Sequence, residues 1–181
     1  MAWSTPLTAT SGSALTSAQW NASVRDNLNE TAAAKATTAG RIFVATGSNA
    51  IAERVVGNAS VIATETTTST SFVDLATPGP AATLTTGATA IIMLSALAFN
   101  TTAGSNAQMG CAVSGATTVA ADPERCYIVK SGGASDFIQG SYMYPQTGLN
   151  AGSNTFTAKY EAGVSGTASF QRRRLLVLPF G

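Results

Sequence analysis

Beyond residue 57 the chain repeats one pattern: a short apolar or alternating run, a cluster of Gly, Asn, Pro and Thr, then another run. Runs this short between turn formers are strands rather than helices, so the spacing restricts this region to antiparallel β-structure. The candidate strands are 60–64, 71–75, 81–85, 90–99, 107–114, 125–130, 136–144, 155–162, 168–171 and 174–178. Within 107–114, Ala107, Met109, Cys111 and Val113 share one face and Gln108, Gly110, Ala112 and Ser114 the other. Within 155–162, Phe156, Ala158 and Tyr160 oppose Thr155, Thr157, Lys159 and Glu161. Each of these strands should have one buried and one wet face. The run AIIMLSALAF (90–99) is apolar on both faces. It is too short for a membrane helix, which needs about 20 residues. It reads as a strand whose outer face is also covered, within a sandwich or by a neighbouring subunit. The expected fold is a mainly β, jelly-roll-like antiparallel sandwich. The last strand, ending LLVLPFG, is expected to leave no tail for a second function.

The segment 15–36, LTSAQWNASVRDNLNETAAAKA, carries the one strong helix signal. Thr16 and Gln19 form a capping-box pattern, with Leu15 and Trp20 placed as a hydrophobic staple. Trp20, Val24 and Leu28 recur at steps of four, with Asn27, Thr31 and Ala32 beside them. A continuous helix over 17–35 would span about 28 Å. Its narrow apolar stripe has no evident partner in the flanking sequence, where residues 1–14 offer only Trp3 and Leu7 as large apolar groups. Residues 41–57, RIFVATGSNAIAERVVG, predict a small hairpin turning at 46–49, marginal by itself. The helix either folds back on the domain's own sheet or self-associates. Self-association is favoured, with Trp20, Val24, Leu28 and Thr31 as the oligomerisation stripe. The expected organisation is an N-terminal arm over 1–15, a helix and hairpin over 16–57, and a β-sandwich over 58–181.

Charged residues make up only 10% of the chain, against about 25% in ordinary soluble domains. Hydroxyls and amides take their place, as in TETTTSTS and TTAGSNAQ, which suggests that much of the surface is covered by something else. A net charge of +1 gives no field that would attract nucleic acid. The one basic cluster, Arg172, Arg173 and Arg174, reads as the polar edge of a terminal strand or as interchain hydrogen bonding. There is no histidine, no G-x-S-x-G elbow and no phosphate-binding loop motif, so no nucleophile system assembles in the usual way. Asp122 and Glu124, with Asp136, could bind calcium or hydrolyse a sugar. A solvated Asp-Pro turn is the better reading. Phe137, Tyr142 and Tyr144 could stack on a sugar but read first as packing residues. No enzyme activity, metal, cofactor or membrane partner is expected.

The opening MAWSTPLT lacks the charged region and apolar core of a secretory signal, which predicts cytosolic synthesis. Cys111 and Cys126 fall in adjacent strands around a midpoint near 118–119, so a disulfide is geometrically conceivable. Cytosolic synthesis and apolar neighbours favour buried free thiols.

The pattern WSTPLTATSGSALTSAQWNASVRDNLN resembles the opening of structural proteins of tailed bacteriophages that infect actinobacteria. Asn21, Val24, Arg25, Asp26, Asn27 and Leu28 are its most distinctive part. AGRIFVATGSNAIAERV looks like hairpin units of phage fibre and tail proteins, and residues 58–181 are similar in style to trimeric jelly-roll knobs. The resemblance implies a non-enzymatic virion component assembled in the bacterial cytoplasm, often trimeric, attached by its N-terminus to a capsid or tail protein. Trp3, Pro6 and Leu7 are the candidate attachment residues, since an extended Pro-containing arm with an aromatic anchor can add to a groove or sheet edge. The rival expectation is a receptor- or glycan-binding fibre tip. The loops 101–106 and 131–135 lack the Trp, Tyr and Arg enrichment of binding hot spots, which favours the structural role.

Overall fold

The computed structural model describes residues 4–133 and 136–181. Two compact units result, Val56–Pro179 and Met1–Val55 with Phe180–Gly181.

The larger unit holds β3 (Gly57–Val61), β4 (Glu65–Thr67), β5 (Ala81–Thr86), β6 (Thr89–Asn100), β7 (Asn106–Gly115), β8 (Tyr127–Lys130), β9 (Ile138–Thr147), β10 (Gly152–Glu161) and β11 (Ala168–Pro179). They form two antiparallel sheets, ordered β5-β10-β7-β8 and β3-β11-β6-β9, with β4 also paired to β11. Apart from β3–β4 and β7–β8, successive strands pass between the sheets, which is jelly-roll connectivity, and the expected β-sandwich is observed. Period-two alternation places Ala90, Ile92, Leu94, Ala96 and Ala98 of β6 in a core with Met109, Phe156, Tyr160, Phe170, Leu175 and Val177, all fully buried. Each large apolar side chain there contributes about 1.5–3 kcal/mol by leaving water.

Several boundaries differ from expectation. Residues 71–75 are not a strand but meet β10 through a single bridge, Val73 to Tyr160. The cause is Phe72, whose ring lies over Gly110. A Cβ at position 110 would come within 2.9 Å of that ring, so the missing side chain on β7 makes the seat. Residues 168–171 and 174–178 are one strand rather than two, joined through a bulge at Arg172 and Arg173. β4 was not anticipated.

Both cysteines are free and buried. Met109 pairs with Tyr127, so Cys126 lies level with Gly110 and not with Cys111. A one-residue offset turns the two thiols to opposite faces. Cys111 faces the core, whereas Cys126 Sγ reaches Gln108 Oε1 at 3.3 Å and Pro123 O at 3.1 Å. Burial pushes both thiols up to about 12. Intact protein should therefore resist iodoacetamide at pH 8, and Cys111→Ala should lower stability by about 1–3 kcal/mol through lost packing. Alkylation of folded protein, followed by mass spectrometry, at the rate of a free thiol would contradict this burial.

In the smaller unit, the capping box forms as expected: Thr16 Oγ1 accepts from the Gln19 N–H at 3.2 Å, and Gln19 Oε1 accepts from the Thr16 N–H at 3.0 Å. The single long helix does not form. α1 (Ser17–Trp20) passes into a π-helical stretch, Asn21–Asp26. The helical path ends after Leu28, and α2 (Ala32–Lys35) starts anew, with the Thr31 side chain capping the Ala34 N–H. Thr31 stops the helix because its extended backbone, at φ −70° and ψ 156°, lets its hydroxyl serve as a second cap. The π stretch coincides with side chains bonded into the ladder. Ala22 O accepts from Ser4 Oγ at 3.1 Å and Ser23 O from Asn27 Nδ2 at 3.0 Å. The expected hairpin is present as β1 (Ile42–Gly47) and β2 (Ala50–Arg54), with Asn49 in the left-handed region at φ 54°.

Candidate functional site

Of the oligomerisation stripe, Trp20 is 56% and Leu28 59% exposed, while Val24 and Thr31 are half-buried. Asn27, not an apolar residue, is the buried side chain of this helix. It accepts from the Ser4 N–H at 2.9 Å and donates to Ser4 O at 3.2 Å, while the Leu7 N–H donates to Ser23 Oγ. The arm is thus tied to the helix by backbone polar groups, leaving the Pro6 and Leu7 side chains exposed. Trp3 lies outside the described residues. Leu15 is also about half exposed, at 49%, so the Leu15–Trp20 staple is not a buried contact.

The β3-β11-β6-β9 sheet carries a second unpartnered surface. Register places Leu178, Ile91 and Pro145 in one outward row, then Leu176, Met93 and Met143 in the next. A polar row follows, Ser60, Arg174, Ser95 and Ser141. Beyond it stand Leu97 and Phe99, with Phe137 tilted against Phe99 at 4.4 Å. Met143 is 62% exposed, and the outward residues of β6 are only half-buried. The doubly apolar run 90–99 is therefore covered on its inner side alone within one chain.

The three arginines divide. In β11 the bulge lets Arg172 and Arg174 point outward while Arg173 turns inward and is fully buried. Arg173 Nη2 meets Glu65 Oε2 at 3.1 Å, Nη1 donates to Thr77 O, and the guanidinium lies 5.3 Å from the Tyr160 ring centre. Both Glu65 oxygens accept from the Thr77 N–H at 3.0 Å. Hydrogen bonds from Thr77 and then the Arg173 charge hold the Glu65 carboxyl below its usual range. The triplet is neither a strand edge nor an interchain bond at its centre. It supplies a buried ion pair, which the sequence reading missed. The signal was the shared parity of Arg173 with Leu175 and Val177.

The carboxylates do not converge. Asp122 caps the turn Pro123–Arg125 by accepting from the Glu124 N–H and pairs with Arg125 at 3.1 Å, whereas Asp136 accepts from the Gly133 N–H. Among the described residues no cluster of three potential ligands for a metal occurs. Tyr142 and Tyr144 stack on each other with ring centres 5.6 Å apart, Tyr144 buried. No helix among the described residues is long and apolar enough to cross a membrane.

No protein-family model matches the chain, and no curated protein sequence matches it. Among solved structures, an Eiger TNF from S. frugiperda is similar over 71% of this chain and 93% of that one, with 8% identity and a TM-score of 0.42. A likeness of this depth carries no argument about function.

Proposed function

We propose that the protein is a non-enzymatic, homotrimeric surface component of a bacteriophage virion, attached to a capsid or tail protein by its N-terminal segment and presenting the β-sandwich as a head. The observation that carries self-association is the apolar outer face of Ile91, Met93, Met143, Pro145, Leu176 and Leu178, a surface that alternation would make polar in a free-standing sandwich. The exposed Trp20 and Leu28 add a second apolar surface on the N-terminal unit. The virion assignment rests on the N-terminal resemblance, with Pro6 and Leu7 free to engage a partner.

Light scattering at micromolar concentration should give about 55 kDa, three times the 18.3 kDa chain. Met143→Asp puts a charge into the apolar row at an already exposed position, so it should dissociate the trimer without unfolding the monomer. Leu28→Asp does the same test on the helix. A stable monomer in the unmodified protein overturns the reading. Dissociation by Leu28→Asp alone would move the contact to the helix stripe. An antibody raised against the β-domain should decorate intact particles, and failure to label them would remove the virion assignment.

A further inference from the structure

Arg172 and Arg174 flank a cleft of about 330 Å³ between β3 and the β11 bulge, lined also by Asn58, Ser60, Val61 and Ile62. Three observations single it out. First, the chain has ten basic residues, and Arg173 beside this cleft is neutralised by Glu65, as Arg25, Lys35, Arg125 and Lys159 are by other carboxylates. Arg172 and Arg174 have no ion pair among the described residues, as Arg41, Arg54 and Lys130 have none; what distinguishes these two is that both line one cleft. Two uncompensated guanidinium groups on neighbouring positions repel one another unless an anion lies between them.

Second, Arg172 sits at φ 52°, a left-handed conformation that a long side chain adopts at a cost and that glycine would take freely. The bulge it forms leaves Arg172 outward directly after Gln171, where alternation continued from Phe170 would have sent it inward, and in phase with Arg174. Strain kept in this way at a cleft points to a role for the side chain. Third, the lining is not only basic. The Asn58 amide and the Ser60 hydroxyl offer both donors and acceptors, and Val61 with the largely exposed Ile62 offers aliphatic surface. The volume falls at the lower end of small-molecule pockets, about 300–1,000 Å³, and exceeds what an inorganic oxyanion fills.

We propose that this cleft binds a small hydroxylated anion of the acidic-sugar class, its carboxylate held between Arg172 and Arg174 and its hydroxyls by Asn58 and Ser60. The cleft belongs to one chain but borders the face proposed for self-association, since Asn58 is level with Leu176 and Ser60 with Arg174. The titration is therefore run on the Met143→Asp monomer as well as on the unmodified chain, and absence of binding in both counts against the site.

Calorimetric titration of the full chain with glucuronate should show saturable binding, with glucose and sodium sulfate each at least about tenfold weaker. Methyl β-glucuronide binding as well as the free acid assigns the site to a terminal unit of a glycan. Binding of the free acid alone assigns it to a soluble sugar acid. Arg174→Gln should weaken glucuronate about tenfold or more while leaving the melting temperature unchanged. Arg172→Gly is the sharper variant, because it removes the guanidinium and relieves the backbone: binding should fall while the melting temperature rises. The proposal is overturned by an absence of glucuronate binding in both the unmodified chain and the Met143→Asp monomer, by sulfate binding as tightly as glucuronate, or by undiminished binding in both arginine variants.

Discussion

Replacing Glu65 by alanine should destabilise the protein by about 3–5 kcal/mol, because it leaves the Arg173 guanidinium in the sandwich without a counter-charge. Arg173 is fully buried and the Glu65 side chain only 14% exposed, so water cannot replace the lost carboxylate. The same substitution frees the Thr77 N–H that both Glu65 oxygens accept, so the loop 77–80 should loosen with it. Arg173→Met combined with Glu65→Ala removes the orphaned charge and should be milder than Glu65→Ala alone. The pH dependence has a defined sign. The Glu65 carboxyl is held low in the folded protein, so its contribution is complete above its unfolded value of about 4.3 and is lost as pH falls through the folded one. The stability gap between the unmodified protein and Glu65→Ala should therefore close in acid. Urea denaturation at pH 7 and pH 3 measures both effects, and a gap below about 1 kcal/mol at pH 7 would show that the pair is not what holds Arg173 inside.

The sandwich was legible where alternation was uninterrupted. β10 was readable because every second residue is apolar and the opposite face carries Thr, Lys and Glu, whereas on β7 the face expected to be wet is buried at Gln108 and Gly110, which Cys126 and Phe72 cover. The reading failed where one residue breaks the period or where tertiary contact replaces pairing. The bulge at Arg172 split β11 in two, since a period-two pattern loses phase across an inserted residue. Phe72 and Val73 looked like strand residues because burial of Phe72 over Gly110 gives the same apolar signature as a ladder. The helix was overextended because Thr31 was placed in an apolar stripe, although threonine competes for backbone N–H groups and Ala34 gave it one. The outer-face assignment of β6 needed only the sequence. The grouping of Met143, Pro145, Leu176 and Leu178 with it needed the register. The inward turn of Arg173 follows the parity of Leu175 and Val177, but the cleft was out of reach, because two successive outward residues, Gln171 and Arg172, need a bulge that composition does not announce.

Asn100→Asp should be comparably damaging, again by about 3–5 kcal/mol, although it changes a single atom type. Asn100 is fully buried at the end of β6. Its Nδ2 donates to Asn106 O at 2.8 Å, Ala162 O at 2.9 Å and Ser165 O at 3.1 Å, and its Oδ1 accepts from the Thr102 N–H at 2.9 Å. One amide thus ties the β6–β7 turn to the β10–β11 turn, as Asn154 ties Thr86, Thr117 and Asn150 near the other end of β7. Aspartate keeps the shape but has no donor when ionised, and sets a negative oxygen against three carbonyls in a dry site. Burial and those carbonyls raise the folded-state value of the new carboxyl above its unfolded one. The variant should therefore be least impaired in acid, where the protonated group can donate one bond, and should lose stability as pH rises through the raised value. Thermal melts from pH 4 to pH 8 against the unmodified protein read this directly. A loss below about 1 kcal/mol would show that other contacts close this end of the sandwich, and a loss independent of pH would mean that the carboxylate escapes to water by displacing the turns.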